Sequence, residues 1–385
     1  MISRRRASRW VEPLRLLALD ARRTLRWSRI PIPRQFRPAA ETMEARQGTR
    51  AFDRWPTRHD KPNRLEPEAW PAIRPKWSLH GVRSIYTIGS CFARNIEQRF
   101  AETGYDVPTL RFAVPPEEWR GDRSNGILNK YTPPSIHQEL EWALRVRAAR
   151  SDRTREALLA EPLLDIGDGL VVDGELAGFV PVPRARGVER RQQLHETVER
   201  AFEADVVAIT LGLVEAWWDV ERRRYLQQTP TTVMMQRFRK RFAFAPLRFA
   251  EALAHTRQAI ELLLRHGKPG LKILLTTSPV PLRTTFTLQD AIVANTNGKS
   301  ILRAVCGEIA ETYDDVDYFP SYESAVLSAS DRVWTDNLLH VREAFIARIV
   351  AHLVEPYFER PGPSAKEGPA EEMASVRQPL AAAGE

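Results

Sequence analysis

Cysteine occurs only twice in this 385-residue chain, at positions 91 and 306, which excludes a fold stapled by several disulfides. A single disulfide stays open, but two thiols in a reducing compartment are expected. No run of eighteen apolar residues occurs, so no transmembrane span is expected. The eight histidines show neither HxH nor HExxH spacing, and no Cys/His finger or Walker-type loop is present, so neither a metal site nor a cofactor is expected. Lysine is missing from the first fifty residues, which hold thirteen arginines and four acids, a local charge of +9. The whole chain carries +8, so everything after residue 50 sums to −1. The body therefore has no basic footprint, and nucleic acid is not an expected partner. No long apolar segment with a small-residue cleavage site follows the N-terminal arginines.

What is present is an ordinary apolar content of 43 %, enough for one large core with a modest appendage. Residues 1–50 read as an Arg-rich arm in which 10–27 suggest a short amphipathic helix. Residues 51–79 read as an extended Pro/Trp-rich lead-in, 80–356 as the main domain with a small hairpin insertion near 160–182, and 357–385 as a disordered tail. Within the domain, the short β-branched runs SIYTI, VVAIT and KILLTT alternate with long helical patterns. That alternation predicts an α/β fold with a mostly parallel sheet. Ligands of such sheets sit beyond the carboxyl ends of the strands, so the loops opening at Gly89, Gly212 and Ser278 should share one edge.

Chemistry-bearing residues cluster on those loops. Gly89-Ser90-Cys91 marks a strand-to-helix corner, where free N–H groups at a helix start can steady a thiolate or an oxyanion. Cysteine is the stronger nucleophile at neutral pH and serine needs a base, so Ser90 and Cys91 both stay candidates. His340 is the candidate base, with Asp336 and Asn337 near enough in sequence to orient its ring. Asn129 could donate to an oxyanion, Gly212 could present a backbone N–H, and Glu215 could meet substrate. Trp217 and Trp218 could stack on a sugar ring or pack. Ser278 follows the third strand, and Asn295, Lys299 and Ser300 form a polar cluster suited to an anion. SIHQELEWALRVR reads as a helix capped by Ser135.

Five segments in order, TIGSCFARNI, TLGLVEAW, TTSPVPL, ANTNGKSILRAV and DYFPSYE, resemble the GSCFA family of bacterial proteins over about residues 80–350. That family looks like a branch of the SGNH/GDSL hydrolase-like superfamily. The resemblance implies a flavodoxin-like α/β/α sandwich and places Cys91 at the nucleophile position, with Ser90 where the superfamily has Asp. Gly212-Leu213-Val214-Glu215 stands where a Gly-x-Asn-Asp block is usual, so Val214 replaces the oxyanion Asn. In the closing Asp-x-x-His block Asn337 takes the place of the Asp, while Asp336 lies four before His340. The resemblance implies an acyl-ester hydrolase or acyltransferase acting on an ester- or sugar-containing molecule or glycan precursor. The cysteine usage, not the resemblance, points to a cytoplasmic setting, and the Arg-rich arm suggests that residues 1–35 touch the inner membrane face or a protein. The rival expectations are a non-catalytic glycan- or glycolipid-binding module and a scaffold recruited through the basic arm.

Overall fold

A computed structural model describes residues 38–47, 52–119, 121, 125–178 and 180–358. The amphipathic helix suggested over 10–27 lies outside the described residues, as does the tail expected over 357–385 apart from Tyr357 and Phe358, which instead end the last helix. The chain divides into two units, residues 1–56 and 57–385. In the first, helix α1 (Ala39–Gln47) buries none of its side chains, and Arg46 pairs with Asp53 at 2.5 Å.

The second unit is built on a parallel sheet of four strands, β1 (Ile85–Gly89), β5 (Val206–Leu211), β9 (Lys272–Thr277) and β10 (Val316–Tyr318), in the order β1-β5-β9-β10. Every residue of β1 and β5 is buried, which is why they read as unbroken apolar runs. Side chains alternate between the two faces. Tyr86, Ile88, Val207, Ile209, Ile273 and Leu275 pack against helices α3 (Pro133–Arg147), α5 (Arg184–Glu203), α7 (Phe249–His266) and α8 (Ala291–Thr312). Ile85, Val206, Ala208 and Leu274 face α2 (Cys91–Glu102) and α11 (Glu343–Phe358) through Phe92, Ile96, Phe100, Phe345 and Ile349. Helices on both faces of a parallel sheet make the three-layer α/β/α architecture. Among the described residues no helix is long and apolar enough to cross a membrane.

The segment near 160–182 forms an antiparallel sheet of β2 (Leu163–Gly167), β3 (Leu170–Asp173) and β4 (Val182–Pro183) after helix α4 (Asp152–Ala160). A second small sheet, absent from the sequence reading, joins β6 (Trp217–Asp219), β7 (Arg224–Leu226) and β8 (Phe242–Phe244), with α6 (Thr232–Arg237) between the last two. Two short helices, α9 (Ser321–Leu327) and α10 (Ser330–Val333), follow β10. The cap of α3 is Thr132, not Ser135. Pro133 and Pro134 fill the first helical positions, where no N–H is needed, and Ser135 closes the capping box from the third.

Helices α3 and α7 meet at a histidine pair, His137 Nδ1 to His255 Nδ1 at 3.1 Å. Burial, then Arg224, lowers the His137 pKa; burial, then His137, holds His255 at about 4. The folded protein thus refuses protons that the unfolded chain accepts near the usual histidine pKa of about 6.5. Stability should therefore fall as pH drops from about 6.5 toward 4, by on the order of a few degrees of melting temperature. Thermal melts across that window check it, and His255→Gln should flatten part of the fall.

Candidate functional site

The corner after β1 is set by its last residue. Gly89 pairs with Thr210 of β5 and has φ +149°, a backbone that L side chains rarely adopt. Ser90 is the N-cap of α2: its Oγ accepts from Phe92 N–H at 3.3 Å, and its own N–H donates to Thr210 Oγ1 at 3.2 Å. That hydroxyl also donates to Ser278 Oγ at 3.1 Å, and both serines are buried. Cys91 follows as the first residue of the helix and is half-buried. The other cysteine, Cys306, is fully buried beside Thr277, and burial pushes its thiol up to about 12.

Cys91 opens into a cleft of about 510 Å³ at the carboxyl edge of the sheet. Ser90, Asn129, Gly212, Ser278 and His340 line it, together with Arg94, Trp119, Tyr131, Leu282 and Arg283. The three strand-end loops thus meet around one space. Among the described residues no cluster of three or more His, Cys, Asp or Glu is arranged to hold a metal.

His340 comes from the loop before α11, closed by a bridge between Trp334 and Val341. Asn337 organises that loop. Its Oδ1 accepts from Leu339 N–H (2.8 Å), His340 N–H (3.1 Å) and Thr335 Oγ1 (2.9 Å). Its amide nitrogen is thereby turned to His340 Nδ1, at 2.9 Å. Because an amide nitrogen only donates, Nδ1 accepts, and the neutral ring carries its proton on Nε2. His340 so held offers a donor, not a base. Asp336 takes no part: it is fully exposed and pairs with Arg342 at 3.4 Å, so of the two candidate orienters it is Asn337 that holds the ring. Only the residue three before His340 can close the turn onto the backbone N–H groups at 339 and 340.

Three other expected site residues have different roles. The Gly212 N–H donates to Tyr131 O at 3.2 Å, as does Leu213 N–H at 2.7 Å, so Gly212 presents no donor to an oxyanion. What position 212 requires is smallness, since an added Cβ would lie 2.9 Å from Tyr131 O and 3.2 Å from Ser90 Cβ. The Glu215 carboxylate is engaged by Thr285 Oγ1 (2.6 Å) and Phe286 N–H (2.8 Å), and it fixes the loop after β9. Asn295 braces the same loop by accepting from Leu282 N–H at 3.1 Å. The reason is common to all three: loops that cross the sheet edge need their own hydrogen bonds satisfied first.

Asn129 does reach the cleft. Its Nδ2 donates to the Tyr131 hydroxyl at 3.2 Å, and its Oδ1 is buried with no hydrogen-bond partner among the described residues, as is the indole Nε1 of Trp119. The Tyr131 pKa is raised, by burial and then by the neighbouring Cys91. Arg94 is buried beneath Cys91, bonded to Thr87 O at 2.9 Å and paired with Glu97 at 2.9 Å. Arg94, Trp119 and Tyr131 escaped the sequence reading. The one available signal was Arg94 itself, a charge on the apolar face of its helix.

The cleft continues into a smaller pocket of about 210 Å³ through shared walls at Tyr131, Leu213 and Leu282. Trp217, Phe286, Gln227, Gln228 and Thr229 line that extension. Gln227 is a strut, donating to Asn129 O at 2.6 Å and accepting from Tyr131 N–H at 3.4 Å. Trp218 instead packs edge-on against Tyr225, outside both spaces.

A family model described as the GSCFA family matches residues 84–353, which contain the whole sheet and every cleft residue named above. No curated protein and no solved structure matches the chain.

Proposed function

The chain belongs to the GSCFA family, and we propose that it is an acyl-ester hydrolase or acyltransferase of SGNH type that works through the thiol of Cys91. The observation that carries this reading is the division of labour at the corner. The Ser90 hydroxyl is engaged in capping α2, while the thiol beside it stands on the first helical turn and opens into the cleft. In this reading the Cys91 thiolate adds to the ester carbonyl carbon, and the carbonyl pair moves onto oxygen. Collapse of that adduct expels the alkoxide, which takes a proton from water in the open cleft. The thioester then passes its acyl group to water or to a sugar hydroxyl, whose proton goes to the hydroxide left by the first step, regenerating the thiolate. His340 contributes an Nε2–H donor to the oxygen that becomes charged. Asn129 Oδ1 and Trp119 Nε1, buried and without a partner among the described residues, supply an acceptor and a donor for recognition.

A cleft of about 510 Å³ suits a small organic substrate. The adjoining pocket, with aromatic rings beside amides and a hydroxyl, suits one sugar ring of a glycan precursor. A reducing, cytoplasmic setting and a membrane or protein contact through residues 1–35 belong to the same proposal. One observation favours the rival reading, a glycan- or glycolipid-binding module: a His340 that only donates lacks the lone pair of a general base.

The reading is tested with a panel of short-chain activated esters, trapping the acyl-enzyme and locating the label by mass mapping. Label on Cys91 with turnover supports it; neither label nor turnover across the panel overturns it. Asn337→Asp makes a companion prediction. A carboxylate accepts from both the backbone and the ring, so the His340 proton should move to Nδ1. Nitrogen-15 NMR of His340 should show the Nε2–H form in the native protein and the switched form in the variant.

A further inference from the structure

Lys299 has no place in the chemistry described so far, yet it lies directly beneath it. It sits inside α8, not in a surface cluster, and only 1 % of it is exposed. The preceding Gly298 lets the helix come close, since a Cβ there would stand 3.0 Å from Val214 Cγ2. From that position Lys299 Nζ donates to Gly212 O and to Val280 O, each at 2.7 Å. Both carbonyls belong to residues lining the cleft beside Cys91, one on the loop after β5 and one on the loop after β9. Among the described residues no carboxylate lies within ion-pair distance of Lys299. A buried ammonium answered only by carbonyls is costly, and its presence calls for a compensating negative charge nearby.

We propose that Lys299 is a positioning residue for the Cys91 reaction, tying the two strand-end loops together and holding the neighbouring thiolate by its charge. This rests on Cys91 being the nucleophile. Burial pulls the Lys299 pKa down to about 7, and the Cys91 thiolate opposes that fall. The other charged or titratable groups facing Cys91 are Arg94 from its own helix, Tyr131, Arg283 from the loop after β9, and His340. Arg94 is already balanced by Glu97, whereas Lys299 has no such counterion among the described residues. The assignment also removes a difficulty, because a standing thiolate needs no base and His340 offers none.

The test is the pH profile of iodoacetamide alkylation of Cys91, mapped by mass, in the full chain and in folded Lys299→Met and Lys299→Gln variants. An ordinary thiol has a midpoint near 8.5. The native protein should show a midpoint at least about one unit lower, and the variants should move it up by about one unit, slowing alkylation at pH 7 roughly tenfold. A native midpoint at 8.5 or above, or an unchanged midpoint in either folded variant, overturns the assignment. Should neither variant fold, the native midpoint decides. Ester turnover of Cys91→Ala is measured in parallel. Turnover that survives removes the catalytic reading, while the alkylation profile still judges the effect of Lys299 on the thiol.

Discussion

Alanine at position 91 should abolish ester turnover and covalent labelling together, a loss of at least about 10³-fold in kcat. Alanine at position 90 should leave labelling in place and lower stability by about 1 kcal/mol, the usual cost of losing a helix cap. The contrast follows from where each side chain is committed. Ser90 Oγ sits between the Phe92 N–H and Ser278 Oγ, and an attacking oxygen would have to leave both. Cys91 has the cleft before it and the start of a twelve-residue helix behind it, whose N-terminal field favours an anion. Serine at position 91 sharpens the test. A hydroxyl must lose its proton during attack, and the Asn337 amide leaves His340 with its neutral proton on Nε2. Cys91→Ser should therefore fall to near the alanine level. Comparable turnover of Cys91→Ser and the native protein would show that His340 does act as a base and that Asn337 rotates to allow it.

The parts of this site readable in the sequence are those fixed by local rules. Buried parallel strands must be apolar on both faces, so β1, β5 and β9 announced themselves, and their ends placed Gly89, Gly212 and Ser278 on one edge. Asn337 was marked, beside Asp336, by its nearness to His340 and by the resemblance, which puts the orienting residue three before the histidine; the structure adds the turn that its side chain closes onto His340 N–H. What stayed hidden depends on which distant segments cross. The Gly212 N–H is consumed by Tyr131, 81 positions earlier, and no pattern around residue 212 reports that. Glu215 and Asn295 resembled ligand contacts because polar residues after strands often are, yet each stabilises a loop that comes from elsewhere. Lys299 was misplaced for the opposite reason. Lysine is a surface residue by habit, and only the close approach permitted by Gly298 brings it under the sheet edge.

Alanine at position 89 should damage the fold severely. Its Cβ would fall inside contact distance of the Thr210 side-chain and carbonyl oxygens and 2.9 Å from the Thr210 nitrogen, atoms of the adjoining strand that cannot swing aside. The φ of +149° adds strain that no neighbour can relieve. Together these should cost several kcal/mol, at least about 3, seen as a large drop in the denaturation midpoint or loss of the folded protein. Gly104 supplies the control. It also has a positive φ, +96°, at the end of α2, but a Cβ there would meet nothing within 4 Å. Gly104→Ala should therefore show the backbone strain alone, about 1 kcal/mol. If the two variants differ by less than about 1 kcal/mol, the contact with Thr210 is not what demands glycine at the corner. If they differ as expected, the reason Cys91 faces the cleft lies one strand away. The Gly89–Thr210 pairing carries β1 to its last residue, and the Ser90 N–H bond to Thr210 Oγ1 anchors the turn that presents the thiol.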